Sequence, residues 1–119
     1  MSVAAYYTQI VEMLQGRTPE LRRTPPERLD WAGSGAVLDL YKKTSGSERD
    51  EIIHAMAQIL EEPKQPSLIM AQVIHIAASL DIAQLEPPIE KLKAIEDSLE
   101  EPVQRAVNNY LAFRQLRTR

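Results

Sequence analysis

The chain has 119 residues, 44% of them hydrophobic and 26% charged, with a formal net charge of −3 and no cysteine. That size and balance suit one ordinary globular domain able to bury a core, and lie far from disorder-prone compositions. The missing cysteines exclude disulfides, thiolate zinc sites and a cysteine nucleophile, and the acidic balance argues against a general nucleic-acid binder.

The opening segment, MSVAAYYTQIVEMLQG, lacks the basic start and unbroken apolar core of a secretory signal. Val3, Tyr6, Tyr7, Ile10, Val11 and Leu14 recur at three- and four-residue intervals, which predicts an amphipathic helix over 3–15 behind Ser2, ended by Gly16. Thr18-Pro19-Glu20 has the form of a capped first turn. Thr24-Pro25-Pro26-Glu27 repeats it with capping-box spacing, opening a helix that reaches about Lys43.

Gly33-Ser34-Gly35 lies inside that segment and either splits the helix or lets it continue, since each interior glycine costs about 1 kcal/mol relative to alanine. No lysine stands at the P-loop position and no strand pattern precedes it, so the expectation is another helix packed closely over the glycines. Trp31 and Leu38 share a face away from Leu29, Val37 and Leu40. They predict a second apolar patch, packed on the first helix or offered to a partner, including a second copy in a homodimer.

Thr44-Ser45-Gly46 breaks the chain, and Ser47 with Asp50 opens a helix to Glu62 that turns Ile52, Ile53, Met56, Ile59 and Leu60 inward. The run LIMAQVIHIAASL then predicts a helix over about 67–83. It is too short for a membrane span and carries Gln72, His75, Ser79 and Asp81, so a cytoplasmic protein with no membrane partner is expected. By helical angle, Gln72, His75 and Ser79 form a thin polar stripe opposite Ile69, Val73, Ile76 and Leu80. Pro87-Pro88 begins a helix with Ile89, Leu92 and Ile95 inward. After a turn over 97–101, Pro102 begins the last helix, with Val103, Ala106, Val107, Tyr110 and Phe113 inward. No segment alternates as a strand would, so the expectation is an all-α fold.

Pro66 and Pro102 each begin a helix and stand 36 residues apart, each behind an amphipathic helix. The segments 3–43, 47–83 and 86–117 therefore read as successive antiparallel helical hairpins within a single domain over 1–119. The stretch PPIEKLKAIEDSLEEPVQRAVNNYLAFRQL resembles a HEAT-type repeat: an apolar first helix, an acidic turn, a proline, then Val103, Arg105 and Ala106 leading the second helix. Asp97, Val103 and Arg105 match the roles that the repeat gives to an aspartate, a valine and a basic residue. The turn DSLEEP is longer than the repeat's, and Asn108-Asn109 stand where small residues are usual. The resemblance implies a short HEAT-like α-solenoid whose second helices line a partner-binding surface; a right-handed helical bundle is the competing architecture.

The functional expectation is a non-catalytic, bacterial-type protein-binding module contacting another protein through Gln72, His75, Ser79, Arg105, Asn108, Asn109 and Trp31. No cofactor, metal or catalytic residue is predicted. His54 and His75 lie on separate helices without zinc spacing, and the adjacent pairs Glu61-Glu62 and Glu100-Glu101 diverge rather than converge. One version is an inhibitor or immunity-type protein meeting a basic partner through Glu48, Glu51, Glu61, Glu62, Glu86 and Glu90. The second reading is a nucleic-acid accessory protein using the terminal arginines Arg105, Arg114, Arg117 and Arg119, and the third is a small enzyme with a site near His75.

Overall fold

A computed structural model describes residues 2–15, 31–61 and 66–117. They form six α-helices and two single turns of 3₁₀-helix, with no strand among the described residues. The fold is all-α, as the helical periodicity requires. The predicted segments at 18–23 and 24–30, together with Gly16 and Glu62, lie outside the described residues. Chain contacts divide the protein into two units, Met1–Gln58 and Ile59–Arg119.

In the first unit, α1 (Val3–Leu14) starts where the Ser2 hydroxyl accepts the Ala5 N–H at 3.2 Å. Of the predicted stripe, Tyr6, Ile10, Val11 and Leu14 are buried, while Val3 and Tyr7 at its edges are half-buried. Helix α2 (Trp31–Lys43) runs without a break through Gly33-Ser34-Gly35. The expected close packing over the glycines is not found at Gly35: a Cβ there would meet no atom within 4 Å.

The Thr44 hydroxyl closes α2 by donating to the carbonyls of Leu40 and Tyr41 at 3.2 and 2.9 Å. Gly46, at φ +58°, turns the chain into α3 (Gly46–Glu61). Arg49 locks the corner, its guanidinium 4.4 Å over the Tyr41 ring and donating to the Tyr41 carbonyl at 3.0 Å. Ile52, Ile53, Ala55 and Met56 supply the buried face of α3 in this unit.

The second unit takes the last turn of α3, with Ile59 and Leu60 buried, and then α4 (Ser67–Leu80). This helix ends three residues earlier than its apolar pattern predicts. Asp81 adopts a left-handed conformation (φ 54°), and the Ile82 and Asp81 N–H groups donate back to Ala77 and Ala78. That is a Schellman closure, and it removes Ile82 from the helix while burying its side chain.

A 3₁₀ turn over Ala83–Leu85 leads into α5 (Glu86–Ala94), which starts with Pro87-Pro88 in its first turn. A second 3₁₀ turn over Glu96–Ser98 precedes α6 (Glu101–Arg117). Helix α6 packs along α4, with α5 also against it. The buried residues Val103, Ala106, Val107 and Tyr110 lie within its first ten residues, and Tyr110 and Arg114 reach the C-terminal end of α4. Helices α4 and α6 therefore run in the same sense, with α5 as the return between them.

Two inward assignments need correction. Ile95 is 50% exposed, because α5 ends at Ala94 and the 3₁₀ turn rotates the next residue outward. Phe113 is 41% exposed, because the core of the unit stops at Tyr110 and α6 continues past it.

Candidate functional site

Helix α4 is buried along most of its surface, including Ile69 to Ile74, Ile76 and Ala77. Its open strip consists of Leu68, His75 and Ser79, with Leu68 and Ser79 exposed. Gln72 departs from expectation: it is 3% exposed and the one buried polar residue among those described. A helix packed from several directions covers far more of its circumference than an amphipathic wheel allows, so the stripe narrows from three residues to two. His75 is half-buried, and burial pushes its pKa below the ordinary 6.5.

The candidate residues on α6 point to solvent. Arg105 pairs with Glu101 one turn before it, both side chains mostly exposed. Asn108 uses both ends of its amide within the protein. Its Oδ1 accepts from Lys93 Nζ at 2.7 Å, and its Nδ2 donates to Glu96 Oε1 at 2.9 Å. Lys93 closes the triangle on Glu96 Oε2 at 2.6 Å. Those two bonds to the charged form, Lys93 first and Asn108 second, hold the Glu96 carboxyl below the usual carboxylate range. Gln104 reinforces the corner by donating to the Glu96 and Leu99 carbonyls at 2.8 and 2.9 Å.

Asn109 is exposed and shares the outer face of α6 with Arg105, Ala112 and Leu116. Sequence reasoning missed this face's apolar end: Leu116 is 69% exposed and Phe113 lies beside it. The signal was available in the spacing, since Leu116 falls opposite the buried Val107 around the helix. Trp31 is the first residue of α2; its side chain lies outside the described residues.

Arg114 is not a free arginine. Its guanidinium donates to Asp81 Oδ1 at 2.6 Å and Glu86 Oε2 at 3.2 Å, bridging the end of α4 and the start of α5. Beside it the Tyr110 hydroxyl donates to the Ile82 carbonyl at 3.2 Å. Two members of the proposed charged sets, Arg114 and Glu86, are thus used internally. On the other side of α5 an open groove of about 270 Å³ is floored by Leu60, Pro88, Leu92 and Ile95, with Glu61 and Lys91 at its rim.

Among the described residues, no helix is long and apolar enough to cross a membrane, and no three His or carboxylate side chains converge as metal ligands would. No family model, no curated protein and no solved structure matches the chain.

Proposed function

We propose that this protein is a non-catalytic, HEAT-like protein-binding module that engages another protein through the outer face of α6. The observation that carries this reading is the exposed run along one side of that helix: Arg105 and Asn109, then Ala112, Phe113 and Leu116. Contiguous apolar side chains rimmed by polar ones are the usual mark of a protein contact, and aromatic and arginine anchors contribute most to such contacts. The parallel pair α4 and α6, with α5 returning between them, is the arrangement a two-helix repeat produces. Buried Val103 and exposed Arg105 stand in the roles the repeat implies.

The nucleic-acid reading loses Arg114, which is held between Asp81 and Glu86. His75 and Ser79 form a second, smaller contact strip on α4 in the proposed module.

The test is affinity capture with the full chain, comparing the natural sequence with Arg105→Glu and Leu116→Glu and with Asp39→Lys on α2 as control. A specific protein retained by the natural chain and the control, but lost with both α6 variants, supports the reading. Retention of nucleic acid that nuclease removes, or capture indifferent to both variants, overturns it.

A further inference from the structure

We draw no further inference here: the strongest candidate, the groove between α5 and α6 lined by Glu86, Glu90, Lys93, Leu111, Arg114 and Gln115, sets two cations against its two carboxylates, and nothing in the structure shows what would occupy it.

Discussion

Arg114 and Asp81 are joined at 2.6 Å across 33 positions of sequence, and the same guanidinium reaches Glu86. Asp81 thereby has two structural uses. Its backbone ends α4 in the left-handed region, and its carboxylate fastens the closure to the second half of α6. Arg114→Ala releases both ends of that bridge, whereas Arg105→Ala removes only an exposed pair within one helix. Thermal unfolding should therefore show a clear fall for Arg114→Ala and little change for Arg105→Ala. Equal effects would mean that the bridge adds nothing to the fold.

Tyr110 seals the same junction through its hydroxyl. The Ile82 carbonyl also accepts the Leu85 N–H, so Tyr110→Phe leaves it one partner. The expected cost is about 0.5–1.5 kcal/mol in denaturant unfolding, with no change in helix content. A cost of several kcal/mol would show that the hydroxyl organises more than this single carbonyl.

Gly35 and Gly46 should respond to alanine in opposite directions. At Gly35 the helix is regular and a Cβ meets nothing, so Gly35→Ala should stabilise by about 0.5–1 kcal/mol. At Gly46 there is equal space but φ is +58°, so Gly46→Ala should destabilise by about 1–2 kcal/mol. Parallel chemical denaturation of the two variants decides it. A stabilising Gly46→Ala would contradict the left-handed turn into α3.

His75 predicts the acid response of the second unit. Burial disfavours its charged form, so its folded pKa lies below its unfolded value near 6.5. The neutral ring's contribution is present above that unfolded value and is lost as pH falls through the folded one. Unfolding free energy should decline on acidification from pH 7 toward pH 5, and His75→Gln should flatten that part of the profile. A proton NMR titration should place the His75 midpoint below 6.5. A midpoint at or above that value would contradict the burial.

Glu96 adds a second, more acidic component. Its carboxyl is held below the ordinary carboxylate range by Lys93 and Asn108, so its contribution is present above that range and disappears as pH falls through the lowered value. Asn108→Ala removes one of the two bonds and should raise the Glu96 midpoint in a carbon-detected NMR titration. An unmoved midpoint would show that Lys93 alone sets it.

The helices of this protein were legible because periodicity and punctuation are local. Ser2, Thr44-Ser45-Gly46, Pro66, Pro87-Pro88 and Pro102 act on backbone within a few residues of themselves, and the structure places helix ends at or beside each. The polar residues exposed on α6 followed from the same geometry, since Arg105 and Asn109 lie on the side opposite Val103, Ala106 and Tyr110. Composition and the arrangement of apolar positions thus determined an all-α chain and where its helices turn. Tertiary structure decided what those local rules do not contain. Packing against α4 buried Gln72 despite its polar stripe, the halt of the core at Tyr110 left Leu116 in solvent and Phe113 partly exposed, and the meeting of distant segments took Arg114 into Asp81 and Glu86 and Asn108 into Lys93 and Glu96. Each outcome depends on which surfaces meet in three dimensions, and that is set by the packing of whole helices rather than by the angle of one residue on its own helix.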